Sequence, residues 1–145
     1  MAKFVYRMQN ILDIKNKLET QAKTAYAAAS QVLRQEEEKL AGLYQDIQDY
    51  QERIRGCKEQ TLNIQELKWC HEAIEIKKLQ IEQQKVVVSK AERNLELARI
   101  RLNEVMVERK THEKLKEKAF EEFKKELEDA EKKEIDELVS YTYNK

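Results

Sequence analysis

The stretch RIRGCKEQTLNIQE, Arg53 to Glu66, interrupts an otherwise unpunctuated chain, and its reading decides the fold. It contains Gly56, one of only two glycines in a sequence of 145 residues that has no proline. Turns draw on Gly, Pro, Asn and Asp, so a chain this poor in breakers reverses in few places. A glycine just after the last apolar residue of a helix suits a left-handed stop. Thr61 or Asn63 can cap the helix that follows, and Asn63 with Glu66 has capping-box spacing.

Toward the amino terminus, apolar residues recur by three and four through Met8, Ile11, Lys15, Leu18, Ala22, Ala25, Ala29, Leu33, Glu36, Leu40, Leu43, Ile47, Tyr50 and Ile54. This pattern predicts a coiled-coil seam with a single stutter at Ala29 to Leu33, where the supercoil relaxes. The alanines from Ala22 to Ala29 predict a narrow seam. Toward the carboxy terminus a second seam runs without a break through Leu67, Cys70, Ile74, Lys77, Ile81, Gln84, Val88, Ala91, Leu95, Ala98, Leu102 and Val105. Cys70 reads as a small apolar core residue. Lys77 and Gln84 are polar seam residues, which restrict register at a cost in stability.

Two long helices joined by a short turn are antiparallel neighbours. The expected fold is all-α, a long antiparallel two-helix coiled-coil hairpin formed as a single domain over residues 1–145. Helix one is expected over about 4–55, the turn over about 56–62 and helix two over about 63–140. At about 1.5 Å per residue the first helix is roughly 75 Å long and the second exceeds roughly 100 Å. The stretch from Ala119 to Tyr143 is therefore expected to outrun its partner.

Composition excludes several function classes. The 28 basic and 28 acidic residues cancel, which argues against a nucleic-acid partner or a generic anionic-membrane binder. Apolar runs are only a few residues long, so no direct transmembrane insertion is expected. The start, MAKFVYRMQN, lacks a signal-peptide apolar region, and the chain is expected to stay in the cytosol. Cys57 and Cys70 have no CxxC spacing and are expected as reduced thiols.

Catalysis has no foothold in the pattern. A hairpin two helices wide lacks a second layer to enclose a pocket. His112-Glu113 opens like a zinc-protease HExxH, but Lys116 stands where the second histidine belongs. No phosphate-cradling glycine loop or GxSxG is present. The chain is expected not to be an enzyme, with no catalytic, cofactor-binding or metal-binding residues.

The stretch ERKTHEKLKEKAFEEFKKE, Glu108 to Glu126, admits two readings. Glu121 with Lys125, and Glu128 with Lys132 just beyond it, are i,i+4 pairs that support an exposed helix. Yet Arg109, Lys110, Lys114, Lys116 and Lys118 make it locally basic, and Phe120 and Phe123 lie beyond easy cover by the first helix. Aromatics beside a basic face suit a partner surface. A solvated helix and a docking face both remain open on these grounds.

The two ends together are similar to the bacterial flagellar export protein family FliJ. The similarity is carried by Phe4-Val5-Tyr6 with the following MQNILDIK, and by ERK…KLKEK and IDEL near the other end. It extends to the length and hairpin layout of the whole chain. The resemblance implies a non-enzymatic component of the flagellar type III protein export apparatus, serving bacterial motility. In that family the hairpin acts as central stalk and stimulator of the hexameric export ATPase. It also contacts the cytoplasmic part of the membrane export gate and escorts export substrate chaperones. The implied location is cytoplasmic, peripheral at the inner membrane face of the flagellar base.

By the same resemblance, the ATPase-ring contacts map onto Phe4, Tyr6, Leu12, Arg109, Lys110, Lys114, Lys118, Phe120 and Phe123. Met8 and Ile11, beside them, are expected in the core. The export-gate contacts map onto Leu43 and Tyr50, which also fall on the seam. The alternative class is a generic structural or adaptor coiled coil.

Overall fold

The computed structural model describes residues 2–59 and 64–143 and contains two helices, α1 (Gln9–Glu59) and α2 (Ile64–Tyr143). They pack against each other as an all-α helical hairpin, with no strand among the described residues. Residues 2–8 lead into α1. The Tyr6 carbonyl accepts from the Gln9 N–H, and the Met8 carbonyl accepts from Ile11 and Leu12, which starts the helix at Gln9. The stretch from Phe4 to Met8, expected in the helix, precedes it.

Gly56 does not end α1. The helix continues to Glu59, and neither glycine has a left-handed backbone. Helical bonding on both sides of a single glycine outweighs its intrinsic cost of about 1 kcal/mol. The expected capping residues Thr61 and Asn63 lie outside the described residues, as does the side chain of Cys57. In α2, Glu66 places a carboxylate in the first turn, where the helix dipole favours it.

Contacts divide the chain into a terminal unit, residues 1–22 with 102–145, and a central unit, residues 23–101. In the central unit Ile54, Cys70 and Ile74 are buried together, with Ile47, Tyr50 and Leu67 packed around them. Ile81, Val88 and Ala91 extend the buried row along α2. The expected polar seam positions are answered from α1. Gln84 donates to the Glu36 carbonyl at 3.0 Å and to its carboxylate at 2.6 Å. Lys77 pairs with Asp46 at 3.1 Å.

In the terminal unit Leu12, Glu19 and Ala22 of α1 are buried, and Val105 of α2 is almost fully so. The second seam lies where its periodicity places it, since every expected position from Leu67 to Val105 is buried or half-buried. The first is shifted at its start. Met8 and Ile11 are exposed, at 47% and 37%, while Leu12 is 4% exposed. The less exposed positions are Leu12, Lys15, Glu19, Ala22, Tyr26, Ala29, Leu33 and onward by the same alternation to Ile54. The expected stutter is therefore absent: with Tyr26 in place of Ala25, and the buried Glu19 beside a Leu18 that is itself half-buried, three and four alternate throughout.

Candidate docking surface at the paired termini

Glu19 is a carboxylate in an apolar seam, and a buried charge persists only when paired. Arg109 supplies the pair. Its Nε donates to Glu19 Oε2, its Nη2 reaches Glu19 Oε1 at 3.4 Å, and its Nη1 donates to Glu113 at 2.8 Å. These bonds, Glu19 first and Glu113 second, raise the guanidinium above its ordinary value. Lys15 pairs with Glu108 at 2.9 Å one turn away. These bonds hold the two ends of the chain in register, ninety residues apart in sequence.

Beyond the ion pairs the end is closed by aromatics. The Phe4 ring sits 5.1 Å from Phe120, edge-on, and 5.4 Å from Phe123. Such pairs add about 0.5–1.5 kcal/mol beyond their buried area. Phe120 and Phe123 were expected beyond cover; the segment ahead of α1, rather than α1 itself, covers them. Phe120 nevertheless remains 38% exposed, and the Lys124 ammonium lies 5.0 Å over its ring. Phe4, Gln9, Leu12, Glu113, Lys116 and Phe120 are among the residues lining an open groove here.

The sequence-derived site residues thus separate. Leu12 and Arg109 hold the hairpin from inside; Phe4, Tyr6 and Phe123 are half-buried. Lys110, Lys114, Lys118 and Phe120 face outward. Lys114 and Lys118 share a shallow surface with Glu117, Glu121 and Glu122. His112 is on the seam, with its Nδ1 buried and without a hydrogen-bond partner. Among the described residues no three His, Cys, Asp or Glu side chains converge to hold a metal ion. The arrangement offers rings and ammonium groups to a surface, and no nucleophile held by a base.

In the central unit Leu43 and Tyr50 are half-buried seam residues. Leu43 lines an open groove with Gly42, Gln80, Gln84 and Val87, and so keeps an accessible edge. Tyr50 packs edge-on against Trp69 at 5.7 Å, and Arg53 lies 5.5 Å over the indole. That aromatic-cation stack was not anticipated, since Trp69 lies off the seam. The Gln84 hydrogen bond is the main cause holding Glu36 below the ordinary carboxylate value of 4.5. A lowered carboxylate contributes stability above that value and loses it as pH falls below.

The sequence profile of the family described as flagellar FliJ protein matches residues 4–145. The match includes both paired ends and the whole described hairpin. The chain belongs to the flagellar FliJ family. No curated protein and no solved structure matches it. As a FliJ-family protein it is a component of the flagellar export apparatus and associates with the export machinery. No helix among the described residues is long and apolar enough to cross a membrane.

Proposed function

We propose that the chain is the central stalk of the hexameric flagellar export ATPase and stimulates it through the paired termini. It also links the ring to the cytoplasmic part of the membrane export gate and escorts export substrate chaperones. This places it in the cytoplasm, peripheral at the inner membrane face of the flagellar base. The observation that carries the reading is the terminal unit itself. Phe4 on Phe120 and Phe123 joins both ends of the chain into one aromatic tip, beside an outward row of Lys110, Lys114 and Lys118. A generic adaptor coiled coil has no need of aromatics closing its open end. For the gate contact, the accessible edge of Leu43 is the better support, because Tyr50 is spent on Trp69.

The row of lysines gives the test. Their spacing of four keeps them on one slowly drifting line of the helix. Like charges brought into contact across an interface cost several kcal/mol, whereas a solvated row is indifferent to sign. Changing all three to glutamate is expected to lower stimulation of the export ATPase and to weaken motility. Helix content, checked by circular dichroism, should survive because lysine and glutamate have similar helix propensity. Binding by the unmodified chain should weaken with salt, since exposed charges are screened beyond about 8–10 Å. Normal stimulation by a folded triple variant would reduce this row to a solvated face.

A further inference from the structure

In the central unit α2 carries a second apolar stripe that the hairpin leaves uncovered. Ile76, Leu79, Val86, Leu97 and Ile100 are exposed at 58%, 64%, 57%, 59% and 42%. They belong to a three-four repeat whose remaining members are Gln83, Lys90 and Arg93. Each member lies one or two residues before a seam position, which at about 100° per residue turns it to the face away from α1. The outer face of a hairpin helix is ordinarily charged, and a repeating aliphatic row there has the form of a second coiled-coil seam.

The stripe is complementary to itself when reversed. Ile76 and Ile100 are equidistant from Val88, as are Leu79 and Leu97, Gln83 and Arg93, and Val86 and Lys90. A two-fold axis at Val88 would set each residue against its mate on a second copy, which is the condition for an isologous interface. The four aliphatic matches would form two layers on either side of a polar centre. Charge at this pairing is mixed, with one complementary contact. Lys90 and Arg93 occupy the centre, and Glu82 borders it on the same face. In the reversed pairing Glu82 of one copy lies beside Arg93 of the other. Glu82 and Glu96, which would approach across the axis, already carry same-helix cations, Lys85 at 3.3 Å and Arg99 at 2.6 Å. Val87, 40% exposed beside the stripe, would meet its own copy near the axis.

We propose that this face of α2 binds the same face of a second copy of the chain, the two helices antiparallel about Val88. The polar centre fixes the register that the aliphatic layers alone would leave loose. An interface this narrow gives a reversible dimer.

Sedimentation equilibrium of the full chain over a wide concentration range should show monomer and dimer exchanging. Leu79→Glu combined with Leu97→Glu should weaken association at least about a hundredfold. Circular dichroism and melting at low concentration should be unchanged, because neither residue is on the hairpin seam. Orientation is read by oxidation in a Cys57→Ser background. A Leu79→Cys chain mixed with a Leu97→Cys chain should cross-link to each other far more than either does to itself. A chain that stays monomeric throughout would overturn the proposal and leave the stripe to a different protein. So would a dimer that persists in the double glutamate variant, or a Leu79→Cys chain that couples chiefly to its own kind.

Discussion

Glu19 shows how a single residue fixes register. Its carboxylate is buried at a position where an apolar side chain would serve the core better, and Arg109 is what makes it tolerable. Removing one partner of a buried pair strands the other, whereas replacing both with apolar groups is often neutral or stabilising. Arg109→Ala should therefore lower the melting midpoint well beyond Lys110→Ala, its exposed neighbour. Glu19→Leu combined with Arg109→Leu should recover most or all of that loss. Thermal melts of the four chains decide it, and equal midpoints for the two single variants would show that the pair does not hold the terminal unit. The same logic gives Gln84 its place: it spends both of its hydrogen bonds to α1 on Glu36, one to backbone and one to carboxylate.

At the level of the element, the two helices differ in how plainly they announce their faces. In α2 the row from Leu67 to Val105 alternates by three and four without a break and carries more apolar residues than the outer row from Ile76 to Ile100, and the structure buries it against α1 throughout. At the start of α1, Ile11 and Leu12 are adjacent, and Ala25, Ala27, Ala28 and Ala29 are all apolar. Two registers then fit the sequence equally, and the wrong one keeps Glu19 out of the core. Only Arg109, on the other helix, makes the correct register possible, and no local pattern can show that. The aromatic closure was half legible: Phe4, Phe120 and Phe123 are identifiable as unusual, but Phe4 precedes the helix, where periodicity says nothing about its direction. Leu12→Ala should cost about 2–5 kcal/mol as a core truncation. Ile11→Ala, one residue away and facing outward, should cost less than about 1 kcal/mol. Denaturant melts of the two variants test the register directly, and a larger loss at Ile11 would restore the stuttered seam.

For the whole molecule, the neutral total conceals an uneven distribution. Every residue from Lys124 to Tyr143 is exposed, and the stretch after Lys125 holds seven carboxylates against three lysines. None of these residues takes part in the buried seams, the Arg109 ion pairs or the Phe4 stack. Ending the chain after Lys125 should therefore shift stability by no more than about 0.5 kcal/mol, as expected for surface changes. It also leaves a basic excess around the intact row of Lys110, Lys114 and Lys118. If that row and the aromatic tip dock on the ATPase ring, the shortened chain should still stimulate the enzyme. Its binding should fall more steeply with salt than that of the full chain, because the compensating carboxylates are gone. Titrations of ATPase activity at several salt concentrations, with melts alongside, measure both effects. Loss of stimulation with an unchanged melt would move the docking role outward, to the exposed Leu127, Ile135, Leu138 and Val139. The aromatic tip would then be a clasp that closes the hairpin and nothing more.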